Sequence, residues 1–214
     1  MDWNILEKHF SAARLGRYSA ARGGNTARAA LDYACNLQLA EAMMPLLNTV
    51  EIALRNAINA RLVAKYHRAD WWRAWLNQPA FSWQNKEIAA VIARLRSRQE
   101  PQTPDKVIAE LTFGFWSSLF NAQFQAILWK DLRLVFARCP KPQRQRRNIS
   151  AALNQIRHLR NRIFHHEPLL WLRPPLPELH AIGIKIITWI DPGLACWLAG
   201  LDRIPAVWAG WRGA

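Results

Sequence analysis

The chain has few cysteines, and their placement argues against two common ways of stabilising a small fold. Its 214 residues include three cysteines, Cys35, Cys139 and Cys196, with no CxxC pair and no histidine nearby at zinc-binding spacing. Scattered cysteines in odd number do not build a disulfide framework or a structural zinc site. We therefore expect reduced, buried cysteines, no metal site and no cofactor.

Long apolar runs are missing as well. The most apolar stretch, residues 182–201, is interrupted by Lys185, Asp191 and Pro192. It therefore predicts two packed helices that meet at a turn, because a membrane span needs about 20 apolar residues in succession. The amino-terminal segment MDWNILEKHF lacks the basic start and the unbroken apolar run of a signal peptide. These features predict a cytoplasmic protein without a membrane segment.

Acidic residues are scarce, and this scarcity indicates the kind of partner. Fifteen Asp and Glu residues stand against 29 Lys and Arg residues, for a formal net charge of +14. Such a surplus spreads positive potential over the surface and favours a polyanion as partner. A peripheral membrane protein would need a cationic helix with a clean apolar face, which is not evident, so nucleic acid is the favoured partner. The acids also form no cluster at metal-binding spacing.

Strand-like alternation of polar and apolar residues is nearly absent, whereas the helical period of 3.6 recurs along the whole chain. The sequence therefore predicts an all-α fold. Its length is compatible with one domain, so we predict a single domain over residues 1–214. The clearest helix is predicted from Thr26 to His67, with a break or kink at Pro45. Its predicted apolar stripe consists of Leu31, Ala34, Leu37, Ala40, Leu46, Val50, Leu54, Ile58 and Leu62.

Further helices are predicted along the rest of the chain. One covers Trp83 to Arg98, and a brief one begins at Thr103-Pro104-Asp105, where a capping hydroxyl precedes a proline and an acid. Another is expected after Gly114, up to about Trp129. A long basic helix is then predicted to run from near Pro142 to about His165.

An arginine on the apolar face of the basic helix is the most unusual feature of the sequence. Ile149, Leu153, Ile156 and Ile163 follow one another at helical steps, and Arg160 continues the stripe between the last two. A guanidinium group is seldom buried without a partner, because its desolvation is costly. Arg160 must therefore meet an acid, a polar site or a cleft open to an anionic ligand, and Glu51 is one possible partner.

Three polar residues beside Arg160 suggest chemistry. Asn161 and His165 are four residues apart and share a helix face, and His166 follows directly. A histidine can move a proton near neutral pH, and an arginine can stabilise charge on a phosphate. The alternative is a structural network of polar side chains. Arg160 lies roughly 140° around a regular helix from His165.

Other residues were weighed for supporting roles. Glu51 and Arg55 lie four residues apart, which favours an ion pair within one helix. The alternative is that Glu51 or Asn56 orients Arg160 or His165 from the neighbouring helix. Basic residues of the long helix are either a solvated face or RNA contacts. Those assigned to RNA binding are Arg144, Arg146, Arg147 and Arg157.

The segment from Arg160 to His165 resembles the RNxxxH signature of HEPN domains, and the wider sequence is similar to the Abi-like (abortive infection) family within that group. The resemblance rests on these segments, in the family's order: RLGRY at 14–18, LDYACN at 31–36, VEIALRNAI at 50–58, LTFGFWS at 111–117 and IRHLRNRIFHHEP at 156–168. One departure is Ala34-Cys35-Asn36, where an aromatic residue is expected before the asparagine.

This resemblance implies a HEPN-like helical bundle and a metal-independent endoribonuclease. Arg160 and His165 would form the catalytic pair, Asn161 would orient them, and His166 is an alternative proton carrier. It also implies a homodimer that brings two motifs into one cleft, a toxin-like role in phage defence by abortive infection, and restraint by an antitoxin protein or an RNA. The competing hypothesis is a catalytically inactive RNA-binding or antitoxin-like HEPN protein.

Overall fold

The computed structural model describes residues 2–213, and within them every regular element is helical, as predicted. The α-helices are α1 (Trp3–Phe10), α2 (Ala12–Ala21), α3 (Thr26–Tyr66), α4 (Ser82–Ser97), α5 (Pro104–Glu110), α6 (Phe113–Ser118), α7 (Gln125–Leu132), α8 (Arg146–Phe164), α9 (Leu176–Ile190), α10 (Pro192–Ala199) and α11 (Ile204–Gly213). Short 3-10 helices cover Trp71–Trp75, Pro79–Phe81, Ala122–Phe124 and Arg133–Phe136.

Helix α3 is the axis of the fold. It has 41 residues, which gives a length of roughly 60 Å. Helices α1, α2, α6, α7, α8, α9, α10 and α11 all pack against it. Of the break or kink predicted at Pro45, the break is wrong, because the helix continues through this residue. Proline removes a single backbone hydrogen bond, and helices packed along both halves hold the axis together.

The predicted apolar stripe of α3 is correct in its second half and wrong in its first. The stripe residues of the second half, Leu46, Val50, Leu54, Ile58 and Leu62, are buried. In the first half, Leu31 and Leu37 are exposed. Asp32 and Asn36 take their place on the buried face. A sequence pattern based on hydrophobicity cannot find such a face, because it depends on partners that come from distant parts of the chain.

Asp32 joins three helices. Its carboxylate accepts hydrogen bonds from Arg22 Nε at 2.7 Å, from Arg22 Nη2 at 2.8 Å and from Trp211 Nε1 at 2.8 Å, and its side chain is 2% exposed. Burial alone raises the pKa of Asp32, but the hydrogen bonds from Arg22 and Trp211 outweigh it and leave the pKa below its usual range. Asp32 therefore stays ionised and ties α2 and α11 to α3.

Several predicted boundaries need correction. The helix expected after Gly114 is divided, since α6 ends at Ser118 and α7 begins at Gln125. The hydroxyls of Ser117 and Ser118 bond to carbonyls within α6, a competition that weakens a helix. Helix α8 begins at Arg146, not near Pro142, because the preceding amides turn back onto the carbonyl of Pro140.

The remaining expectations have mixed outcomes. The apolar stretch 182–201 does form two helices, α9 and α10, that meet at Asp191. Cys35 and Cys139 are buried as predicted, but Cys196 is exposed, which corrects the expectation for that residue. The buried apolar side chains form one cluster, which includes Trp71, Trp75 and Trp116. Among residues 2–213, no helix is both long and apolar enough to cross a bilayer.

We predict that Asp32→Asn lowers the free energy of unfolding by about 2–3 kcal/mol at pH 7, because a buried charged partner of Arg22 is lost. Since the folded pKa of Asp32 is lowered, its stabilisation is present above the unfolded value of about 3.9 and is lost as pH falls through the folded value. The deficit of the variant should therefore shrink in acid.

Urea unfolding followed by tryptophan fluorescence, from pH 7 down to pH 3, measures this difference. The control is Glu7→Gln, which neutralises an exposed acid on α1. Equal stability of Asp32→Asn and wild type at pH 7 would contradict the role given to Asp32.

Candidate functional site

The residues of the RNxxxH segment lie at the carboxyl end of α8 and in the turn that follows. The amide of His165 bonds to the carbonyl of Asn161 at 2.9 Å, so the helical path continues to His165. The amide of His166 then bonds to Ile163 O at 3.0 Å, and that of Glu167 to Arg162 O at 2.8 Å. This pair of bonds is a Schellman motif, a tight and well-defined way to end a helix.

His166 occupies the left-handed position of this turn, with φ of 56°. Glycine is the usual residue there, because a side chain in the left-handed region costs about 1–2 kcal/mol. Four other non-glycine residues of the described chain also have a positive φ, and one of them, His67, ends α3 in the same left-handed conformation. The backbone angle therefore has a local cost at His166 but does not by itself mark the side chain as functional.

Two neighbouring helices fix the turn. Arg14 Nη1 of α2 donates to the carbonyl of His166 at 2.9 Å, and Asn36 Oδ1 of α3 accepts from the amide of Leu169 at 2.6 Å. Neither Arg14 nor Asn36 was selected as a site residue from the sequence, although both lie in segments that carry the family resemblance. Asn36 was overlooked because its function is to hold backbone, which no local pattern reveals.

Arg160 is held by Glu51. Its Nε lies 2.9 Å from Glu51 Oε2, so the partner suggested by the sequence is the one found. The guanidinium carbon lies 4.5 Å from the ring centroid of Phe164, on the next turn of α8. The two Nη groups make no hydrogen bond with any residue from 2 to 213, and the side chain is 28% exposed. One edge of Arg160 is therefore engaged and the other is open.

The other residues proposed to support Arg160 have different positions. The intrahelical ion pair between Glu51 and Arg55 is wrong, because Glu51 turns to Arg160 and Arg55 Nε donates to Asn56 Oδ1 at 3.2 Å. Within the described chain, Arg55 and Asn56 make no hydrogen bond to the motif. Of the three candidates, Glu51 alone reaches it.

Asn161, His165 and His166 are exposed, and their side chains make no hydrogen bond within residues 2–213. A structural polar network would have these side chains bonded to neighbouring helices, as Asn36 is. The three groups are instead directed away from the core. They are accessible to a ligand or to another protein surface.

Arg160 and His165 do not meet within one chain. Five residues separate them, so a regular helix rotates one from the other by roughly 140°. Arg160 is turned inward to Glu51 on α3, and His165 is exposed beyond the last turn. A reaction that needs both groups on one phosphate would therefore need a second copy of the motif or a movement of Arg160.

The basic run lies at the other end of α8, roughly 20 Å along the axis from Arg160. Arg146 donates to Gln125 Oε1 at 2.8 Å and to the Phe120 carbonyl at 2.9 Å, and Arg144 donates to the Ala137 carbonyl at 3.3 Å. These contacts give both arginines a structural role, although they also border a polar cleft of about 470 Å³. Arg147 is exposed, without a hydrogen bond to the described residues.

Arg157 lies between the two ends of α8, one turn before Asn161, and borders a separate pocket. Across residues 2–213, no group of three or more His, Cys, Asp or Glu side chains is arranged to hold a metal ion.

Comparison of the chain with protein-family models, with curated proteins and with solved structures finds no match.

We predict that His166→Gly raises the free energy of unfolding by about 0.5–1 kcal/mol, because glycine relieves the left-handed strain. His165→Gly should lower it by a similar amount, about 0.5–1 kcal/mol, because His165 has ordinary backbone angles. Thermal and urea unfolding of the two variants measure the difference. A loss of stability in His166→Gly would contradict the strained turn.

Proposed function

We propose that this protein is a HEPN-type endoribonuclease that cleaves RNA without a metal ion and acts as a toxin in abortive infection. The observation that supports the proposal most is that Arg160 is engaged on one edge only, while the histidines of the turn that ends the same helix are accessible. Arg160 keeps free Nη groups, and the side chains of His165 and His166 have no hydrogen-bond partner among the described residues. The resemblance to the RNxxxH motif supplies the reaction.

In the proposed reaction, His165 removes the proton from a ribose 2′-hydroxyl as its oxygen attacks the adjacent phosphorus. The bond from phosphorus to the 5′-oxygen breaks, that oxygen takes a proton from water, and the protonated His165 returns its proton to the solvent. Arg160 stabilises the added negative charge on the phosphorane through its Nη groups. The products are a 2′,3′-cyclic phosphate and a free 5′-hydroxyl.

Glu51 acts in this proposal as a positioning residue. By accepting from Nε, it sets the plane of the Arg160 guanidinium and leaves the Nη edge for a phosphate. Asn161 has an open amide on the same helix face as His165, where it can orient the substrate or the imidazole. His166 is the alternative proton carrier.

A second copy of the chain belongs to the proposal. Within one chain, Arg160 and His165 lie on different faces of α8. In a homodimer, Arg160 of one protomer would face His165 of the other. Phe164, which is half exposed beside Arg160, offers apolar surface for such a contact. Restraint by an antitoxin protein or an RNA is part of the same hypothesis.

The net charge of +14 favours binding of the RNA backbone outside the cleavage site. Arg147 is free to contact phosphate at the far end of α8, with Arg144 at the same polar cleft. Arg146, with two hydrogen bonds to neighbouring segments, contributes to RNA binding mainly by holding this end of the helix in place.

A second candidate function is RNA binding without catalysis. The observation in its favour is the ion pair between Arg160 and Glu51, because an arginine already paired with a carboxylate has less charge to offer a phosphate. In that case the motif would grip RNA or a partner protein, as an antitoxin-like HEPN protein would.

The test is to incubate the purified protein with total RNA in EDTA and to map the new ends. We expect cleavage with cyclic phosphate ends, reduced about 10²–10⁴-fold by His165→Ala and about 10²–10³-fold by Arg160→Ala. The matched control is His158→Ala, which removes an exposed histidine of the same helix outside the motif and should leave cleavage unchanged.

If the wild-type protein leaves the RNA intact but binds it with a strong dependence on salt, the result favours RNA binding without catalysis over the nuclease. Equal loss of cleavage in His158→Ala and His165→Ala would contradict the assigned role of His165. His166→Ala, measured in parallel, decides which of the two adjacent histidines moves the proton.

A separate prediction concerns Glu51. Because its ion pair with Arg160 is partly exposed, Glu51→Gln should change the free energy of unfolding by less than about 1 kcal/mol. It should lower the cleavage rate by roughly 10- to 100-fold, because a neutral amide oxygen holds the Arg160 guanidinium less firmly than a carboxylate does. Unfolding and single-turnover cleavage are measured on the same preparation. If Glu51→Gln strongly lowers the free energy of unfolding and loses activity only to the extent that it unfolds, Glu51 has a structural role and does not position Arg160.

A further inference from the structure

A pocket with both polar and apolar lining lies beside α8, on the side that carries Asn161. Its volume is about 310 Å³, which is at the lower end of the range for small-ligand sites, about 300–1,000 Å³. Its lining includes Trp83, Gln84, Ser118, Asn121, Gln123 and Arg157. The pocket joins α4 and α6 to the middle of α8, and it is not part of the cleavage motif.

Two of the residues that line this pocket each have a polar atom that is buried without a partner within the described chain. The two atoms are Gln84 Oε1, an acceptor, and Arg157 Nε, a donor, and each exposes less than 1 Å². The whole Gln84 residue is 2% exposed. A buried polar group without a hydrogen bond costs about 1–3 kcal/mol, so the two together are unusual in a folded chain.

The orientation of the Gln84 amide is set by its neighbour. Ser118 Oγ donates to the carbonyl of Phe115 at 2.7 Å, so it can only accept from Gln84 Nε2, at 3.1 Å. The amide oxygen is therefore the end that lacks a partner. A ligand edge with a donor would satisfy it, and a ligand acceptor would satisfy Arg157, once these side chains turn into the pocket.

Trp83 offers an aromatic surface at the same pocket. Its side chain is 45% exposed, and its ring stacks on Phe115 at 27° with a centroid distance of 6.3 Å. An exposed tryptophan supported from behind is a suitable platform for a nucleobase. The amides of Asn121 and Gln123, also in the wall, offer donors and acceptors of the kind that read base edges.

We propose that this pocket binds one nucleobase of a single-stranded RNA, stacked on Trp83 and hydrogen-bonded to Gln84 and Arg157. The inference rests on the proposed function, because it assigns the base next to the cleaved phosphate. Arg157 and Asn161 are four residues apart, so they share one face of α8 about 6 Å apart along its axis. A strand with its base in the pocket can present a neighbouring phosphate to the motif.

The test uses a fluorescent single-stranded 2′-O-methyl RNA, which lacks the attacking hydroxyl and stays intact whether or not the protein is a nuclease. Anisotropy titration should show that Trp83→Ala weakens binding by roughly 5- to 150-fold, the loss of one stacked base. Trp83→Phe should keep most of the affinity. The matched control, Trp197→Ala, removes another exposed tryptophan, 60% exposed on α10, and should bind as wild type does.

A second set of measurements separates a base pocket from general electrostatic attraction. Arg157→Gln should weaken binding more than Arg96→Gln, which removes the same charge from the exposed face of α4. A series of RNAs, each with one abasic position, should contain a position that weakens wild-type binding but leaves Trp83→Ala binding unchanged. Melting temperatures of all variants identify any that are not folded.

Uniform effects of every abasic position, or equal affinities of Trp83→Ala and Trp197→Ala, would overturn the proposal. Nucleoside monophosphates that bind as tightly as the RNA would also overturn it and indicate a free-nucleotide site. If Trp83→Ala binds and cleaves RNA as the wild type does, the base pocket is refuted and the proposed nuclease function stands. If RNA binding depends on Trp83 but no cleavage is seen, the base pocket stands and the nuclease function is refuted.

Discussion

The ion pair between Arg160 and Glu51 sets the geometry on which the rest of the candidate site depends. An arginine in the apolar stripe of α8 needs a partner, and Glu51 on α3 supplies it at 2.9 Å. Because both side chains are partly exposed, the pair adds about 1 kcal/mol or less to stability. Its larger consequence is orientation: the Arg160 guanidinium is held against α3 through Nε, and its Nη groups have no hydrogen-bond partner among residues 2–213.

The helical period then determines where the other motif residues lie. With Arg160 turned to α3, Asn161 and His165 are exposed on another side of α8, and the Schellman turn held by Arg14 and Asn36 presents His166. The same period places His165 roughly 140° around α8 from Arg160. A rigid single chain thus has the parts of the proposed site on two faces, and a second copy can bring them together.

The sequence predicted the elements whose cause is local. The helical class, the cap at Thr103, the turn at Asp191 and the need of Arg160 for an acid all follow from short-range patterns and from desolvation. It failed where distant partners decide: Asp32 and Asn36 replace Leu31 and Leu37 on the buried face of α3, because Arg22, Trp211 and the Leu169 amide satisfy them. The local spacing favours Arg55 over Arg160 as the partner of Glu51 for the same reason, since the packing of α8 against α3 is invisible to it.

The most direct measurement is to mix the Arg160→Ala and His165→Ala proteins under conditions that exchange subunits and to assay RNA cleavage in EDTA. If a site takes Arg160 from one protomer and His165 from the other, a mixed dimer contains one intact site. We expect the mixture to recover a substantial part of wild-type cleavage, although each variant alone is inactive. An active wild type, together with mixed dimers that form but do not cleave, would contradict the composite site.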